Sequence, residues 1–211
     1  MALLPLNPDE LLTTTRAVRK RLDLSRPVPD DLIRECVAAA LQAPSGSNNP
    51  TMQFVVVRDD VKRRAIGEVY RQCFEIYKSM DGIYIGSIDK GSPEANAQQQ
   101  RSTESADYLA EHLGEAPALV IGCTASGRVD GAPAMMAASM LGNMLAARAR
   151  GLGTAWTTVH LMMEQQVADI VGIPFDAVQQ VCLSPLAYTI GTDFKPAKRP
   201  APDTVIHWDT W

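Results

Sequence analysis

The chain has 211 residues, 46% of them apolar and 21% charged, a composition that supports one folded core and excludes a disordered or low-complexity chain. Lysine plus arginine number 20 against 24 aspartate plus glutamate, a formal net charge of −4, and no basic run is long enough to track a polyphosphate backbone, so no nucleic-acid partner is expected. The uncharged stretch from Gly131 to Ala147 falls short of the roughly 20 apolar residues of a membrane span and reads as a buried helix, and Met1 to Asp9 lacks the pattern of a secretory signal, which predicts a cytoplasmic protein with no membrane partner.

In chain order, helices are predicted over Glu10–Arg21 and Asp31–Gln42, the second with Asp30 as N-cap and an apolar face of Leu32, Ile33, Cys36, Val37, Ala40 and Leu41. Pro44 ends that helix and opens a turn-rich run through Pro50. Phe54–Val57 reads as a buried strand and Val61–Tyr77 as a helix. From 79 to 103 the apolar periodicity fades, which predicts a lid-like or disordered insertion ahead of a short helix over Ser105–His112. Ala118–Cys123 reads as a strand buried on both faces, and Ala134–Arg150 as an apolar helix stopped by Gly151-Leu152-Gly153. Trp156–Val159 is a strand candidate, Glu164–Val171 a helix closed by Gly172, and Val181–Ile190 a strand carrying Pro185. The proline-rich run 195–202 cannot be helical, whereas Val205–Trp211 alternates like a strand; its tryptophans need burial, for which a second subunit is one answer.

Cys36, Cys73, Cys123 and Cys182 lie far apart, as do His112, His160 and His207, so no metal site is expected and the thiols read as buried packing groups. His160 alone is retained as a site candidate, against a packing role. Basic groups at Arg16–Arg21 and Lys198–Arg199 flank a chain that also offers a Ser-Gly-Ser-Asn loop, the donor types that hold a phosphate monoester. There is no phosphate loop, no dinucleotide fingerprint, no nucleophile–histidine pairing and no paired carboxylates. An enzyme without such side chains takes its chemistry from a cofactor; otherwise the protein is not an enzyme.

Several segments together resemble the nitroreductase family of FMN-dependent oxidoreductases. Arg16-Ala17-Val18-Arg19-Lys20 is similar to the family's arginine-rich phosphate motif. Ala43-Pro44-Ser45-Gly46-Ser47-Asn48 with Phe54–Val57 resembles its Ala-Pro-Ser-x-x-Asn loop and first long strand. Asn143–Ala147 through Gly151–Thr154 is similar to its central helix and following turn, and Tyr188 with Lys198-Arg199-Pro200 to its closing strand and C-terminal basic motif. The resemblance implies an α+β fold, a mixed central sheet flanked by helices in a single domain over 1–211, and a homodimer whose C-terminal segment is exchanged onto the partner. It implies FMN reduced by NADPH or NADH and passing hydride to a nitroaromatic, quinone or related small-molecule acceptor. The flavin N5, and no side chain, would carry the chemistry. Arg16, Arg19, Lys20, Lys198 and Arg199 would surround the phosphate, beside Ala17 and Val18; Pro44, Ser45, Gly46, Ser47 and Asn48, from the second subunit, would hold ribityl or ring; Trp156, Thr157 and Thr158 would line the N5 and O4 edge. Ala17 or Val18 replaces the family's serine, Pro50-Thr51-Met52 its Gln-Pro-Trp, and Ala187 its glycine, so a hydroxyl and a stacking tryptophan are lost. Alternatives are an FMN-binding protein without turnover, and the flavin-fragmenting or dehalogenating branches of the family.

Overall fold

A computed structural model describes residues 3–45, 48–49, 51–125, 127 and 132–211. The elements run α1 (Pro8–Thr14), β1 (Leu22–Asp23), α2 (Asp30–Ala40), β2 (Met52–Val57), α3 (Asp60–Lys78), α4 (Pro93–His112), β3 (Ala118–Thr124), α5 (Ala132–Ala149), β4 (Leu152–Thr154), α6 (Glu164–Val171) and β5 (Gln179–Thr189). β5 is the hub of the sheet: it pairs with β1, β3 and β4, and β3 pairs in turn with β2.

All of these ladders are antiparallel, which corrects the expected mixed sheet. Among the described residues the parallel pairing is a single bridge, Ala17 to Thr154. β3 is buried at every position because it packs on both faces. Leu119, Ile121 and Cys123 join the core under α3, α4 and α6, while Ala118 and Val120 join the core under α2 and α5. A period of two therefore sends one continuous apolar run into two opposite cores. Pro185 lies just past the end of the β4–β5 ladder at Thr154–Leu186, where the Ser184 hydroxyl accepts the Ala155 N–H at 3.1 Å.

Several expected boundaries move. The first helix ends at Thr14, since the Thr13, Thr14 and Thr15 hydroxyls fold back onto carbonyls one turn earlier and sheet pairing then takes Ala17 and Leu22. α2 is capped by Pro29, with Asp30 as its first residue, and ends at Ala40, which leaves Leu41 exposed. β2 starts at Met52 and is only partly buried, as the edge of the sheet. Half of the 79–103 stretch is helical: Ser92 caps α4, Pro93 opens it, and the helix runs to His112 where only the last turns were expected. Good helix formers such as Glu94, Gln98, Gln99 and Gln100 build its first half without an apolar stripe, so periodicity missed it.

The strand expected over Trp156–Val159 is displaced to β4, leaving one bridge between Thr157 and Leu183 before a 3-10 turn at Val159–Met163. α6 coincides with its expected span and closes at Gly172, φ +77°. α5 stops before Gly151, φ +72°, as expected of a left-handed cap. Within one chain Val205–Trp211 forms no strand, and Trp208 and Trp211 stand exposed at 79% and 101%. No helix among the described residues is long and apolar enough to cross a membrane.

Candidate functional site

A cleft of about 500 Å³ opens between α3, α4 and the segment that follows β4. Its inner wall is a chain of rings: Tyr70 and Phe74 stack at 6.3 Å, Phe74 meets Tyr77 at 6.0 Å, and Tyr84 closes edge-on to Tyr77 at 5.3 Å. The spacing of 70, 74 and 77 places these side chains on one face of α3. Trp156, Thr157, Thr158 and Met162 also line the cleft. The rim comes from Tyr84, Ile85, Ser102 and Thr103, so the 79–103 stretch forms part of the cleft. Gln99 knits that rim together by donating to the carbonyls of Ile85 and Ile88.

Among the described residues Arg19 is the one charged side chain lining the cleft. It is half-buried, and desolvation is the main influence lowering its pKa, opposed by the nearby Tyr70 phenol. The Tyr70 hydroxyl is buried and lies 2.9 Å from the Thr157 hydroxyl. Burial pushes the phenol pKa up, against the hydrogen bond to Thr157 and the charge of Arg19. Thr157 is also held by its backbone, which exchanges two 2.9 Å hydrogen bonds with Leu183.

The other basic residues separate. Arg16 donates from Nε and NH2 to the Lys195 carbonyl at 3.1 and 3.0 Å, and to the carbonyls of Thr15 and Thr13 at 2.9 Å each. Its pKa is lowered first by desolvation and then by Arg199, so these two cations are neighbours. Lys20 reaches Glu104 on α4 at 4.0 Å, and Lys198 is exposed. Arg21 and Arg148 hold the same outgoing segment as Arg16, through the carbonyls of Ile190 at 2.8 Å and Thr192 at 3.0 Å, with Phe194 packed between their guanidinium groups.

Ala17 is exposed at its bridge, whereas Val18 is buried with Leu22 and Ala187 and gives its N–H to the Thr154 carbonyl. Pro44, Ser45 and Asn48 sit beyond α2 and do not line the cleft of the same chain; Asn48 adopts φ +52°. Gly46 and Ser47 lie outside the described residues. His160 is fully buried, neither ring nitrogen has a hydrogen-bond partner among the described residues, and burial pulls its pKa down to about 4. It does not line the cleft, which favours the packing role. The four cysteines are buried free thiols, and Cys123 and Cys182 are pushed up to about 12 by burial.

Sequence reading missed Tyr70, Tyr77, Tyr84, Ser102 and Thr103. The signal for Tyr70 and Tyr77 was the aromatic stripe on α3, which is indistinguishable from core until the fold shows what it faces; Tyr84, beyond α3, carried no such signal.

A second concavity of about 440 Å³ lies between α2 and the edge strand β2, with Ile33, Val37, Leu41, Phe54 and Val56 as its apolar floor.

The Nitroreductase family model matches residues 12–191. A curated NADH dehydrogenase of Thermus thermophilus is 42% identical over 62 residues, which is 28% of this chain and 30% of that protein. The match thus spans under a third of the curated relative's length. Among solved structures, the FMN and NADPH-dependent nitroreductase NfnB from Sphigopyxis sp. strain HMH superposes with a TM-score of 0.73 at 20% identity, covering 98% of this chain and 100% of that one. Iodotyrosine deiodinase, bound to FMN and 3-iodo-L-tyrosine, superposes with a TM-score of 0.73 at 19% identity, covering 96% and 99%. At such identities these structures share the fold, and it is the profile match over residues 12–191 that assigns the family: the chain belongs to the Nitroreductase family.

Proposed function

We propose that the chain is an FMN-dependent oxidoreductase of the cytoplasm, acting as a homodimer, that takes hydride from NADPH or NADH and passes it to a small-molecule acceptor such as a nitroaromatic or quinone. The observation that carries this reading is the cleft: ring-lined, of a size suited to a planar cofactor, with Arg19 the one charged side chain among the described residues that line it. When bound there, FMN would supply hydride acceptance and donation. The chain's own residues then bind, orient and exclude water.

Arg19 would meet the ring system, where a cation favours the negative charge of a reduced flavin. Trp156, Thr157 and Thr158 would line its edge. Arg16 and Arg199 would take the phosphate; NH1 of Arg16 makes one bond, to Thr15, so its second hydrogen is available to an anion. Lys20 and Lys198 would add charge nearby. The 79–103 stretch would act as a lid over the acceptor, since its residues already form the rim.

The dimer is supported by surfaces that one chain leaves uncovered. β2 is a sheet edge beside an apolar groove, and the C-terminal arm presents Trp208 and Trp211 to solvent. Burying a tryptophan removes roughly 200 Å² from water, on the order of 5 kcal/mol as an upper figure. Exchange of the arms, with the partner's arm laid along β2, covers both surfaces at once. The same assembly would bring the partner's Ser45, Ser47 and Asn48 to the cofactor.

The test is to load the purified protein with FMN, remove the excess, and follow the visible flavin band as NADPH or NADH is added without oxygen. Bleaching, with recovery when a nitroaromatic or quinone is added, is expected. Bound FMN that neither nucleotide reduces would mean a binder without turnover. Failure to retain FMN would overturn the reading.

A further inference from the structure

Tyr70 is the most buried polar side chain at the cleft wall, at 3% exposure, and Thr157 is its one hydrogen-bonded partner among the described residues. Either hydroxyl has the atoms to donate across the 2.9 Å separation. Burial decides the direction. With Thr157 as its one partner among the described residues, the buried phenol satisfies its own proton only by donating it to the Thr157 oxygen. On the other side the Val159 N–H points at the same Thr157 oxygen, 3.5 Å away.

The Thr157 oxygen therefore faces donors on its protein side, and a hydroxyl whose oxygen accepts there has its own proton left to give elsewhere. The direction remaining is the cleft, which Thr157 lines. The backbone cannot drift, because Thr157 is locked to Leu183 in both directions. A freely rotating hydroxyl would spend part of its time as an acceptor; this one is held as a donor.

We infer that Tyr70 is a positioning residue: through its hydrogen bond it fixes the Thr157 hydroxyl as a donor into the cleft, toward the edge of the bound ring system where negative charge accumulates on reduction. This rests on the FMN reading above. Tyr70 does not touch the ring's reacting atoms in this role and acts through Thr157. Tyr70 and Thr157 form one hydrogen-bonded unit at the wall of the cleft that Arg19 also lines.

The experiment measures the midpoint potential of bound FMN, by equilibration with a reference dye, in the wild type and in Y70F, T157V, T157S and the Y70F/T157V pair. Removal of a fixed donor disfavours the more negative reduced form. Y70F and T157V are each expected to shift the potential to more negative values, T157S to keep the wild-type value, and the double variant to move no further than T157V alone. Y70F keeps the ring and the packing of α3, and its thermal midpoint, measured alongside, separates a folding defect from the effect sought. A wild-type potential in Y70F with a shifted T157V would show that Tyr70 only packs and would overturn the inference while leaving the flavoprotein reading intact. An unshifted T157V overturns it as well. Failure of the wild type itself to hold FMN removes the reading and the inference together.

Discussion

Arg16 grips the carbonyl of Lys195, 179 positions away in sequence, with two nitrogens at 3.1 and 3.0 Å. A residue of the proposed phosphate site is thus also the clamp on the segment that leads into the C-terminal arm. Arg21 and Arg148 hold Ile190 and Thr192 in the same way, so the arm leaves the domain through a row of arginine-to-carbonyl bonds. If the arm completes a partner's site, cofactor binding and arm placement share one side chain.

Arg16→Ala is therefore expected to lose both functions: FMN affinity falls tenfold or more, by the ~1.5–3 kcal/mol of a charge-assisted hydrogen bond, and limited trypsin digestion after Lys198 accelerates. Arg16→Lys keeps the charge and loses the fork. It should retain part of the affinity while the arm loosens as much as in the alanine variant. Equal affinities in wild type and Arg16→Ala, measured by flavin fluorescence, would remove Arg16 from the cofactor site.

The backbones of α3 and the turn after α4 meet at Gly67 and Gly114. A Cβ on Gly67 would stand 2.8 Å from the Gly114 nitrogen, and one on Gly114 would meet the Arg63 carbonyl oxygen at 3.0 Å. Neither neighbour is a flexible side-chain end. Gly67→Ala forces the helix off this contact and should lower stability by roughly 1–3 kcal/mol, against the small gain an alanine normally brings to a helix. Urea midpoints of the two proteins decide this, and an unchanged or raised midpoint contradicts the close approach.

His160 makes stability depend on pH. Its folded pKa, about 4, lies below its ordinary value of 6.5 because burial disfavours the charged ring. Between these values the unfolded chain binds the proton and the folded chain does not, so its contribution is fully present above pH 6.5 and is lost as pH falls toward 4. The full loss is on the order of 3 kcal/mol. His160→Leu, which removes the titrating ring, should flatten the dependence between pH 7 and pH 4.5 relative to wild type. A slope that persists unchanged in the variant would assign it to carboxylates elsewhere.

For the dimer, Val56→Asp puts a charge on the groove floor beside the β2 edge, and Trp208→Ala shortens the arm's apolar payload. Each is expected to shift sedimentation from dimer toward monomer, and to weaken FMN retention as the partner's contribution is withdrawn. A wild-type protein that sediments as a monomer would dismiss arm exchange. A dimer untouched by either change would move the interface to another surface.

Much of the fold was legible before any coordinate. The α2 face, the helix of α3, the doubly buried β3, the glycine-terminated α5 and α6 and the long β5 each carry a local pattern strong enough to fix their type. The failures share a cause. Thr13–Thr15 and Ala17 give up a helical pattern because distant strands offer them partners. The first half of α4 has no apolar stripe, since it is mostly exposed and covers no core. Trp156–Val159 has strand propensity but meets β5 at one position only.

Sequence alone determined what the chain is built from and the family to which it is similar, because helix periodicity, strand alternation and the order of the motifs are local properties of the chain. It also determined the residue types available for a cofactor: arginines, a serine-rich loop and no acid–base pair. Tertiary structure decided which of them meet. It separated Arg19 from Arg16 and Arg199, turned the α3 tyrosines into a cleft wall, and set Tyr70 against Thr157 across 87 positions of sequence. The direction of a sheet pairing, and which face of a helix finds a cavity, depend on contacts between distant segments, and such contacts leave no local signature in the chain.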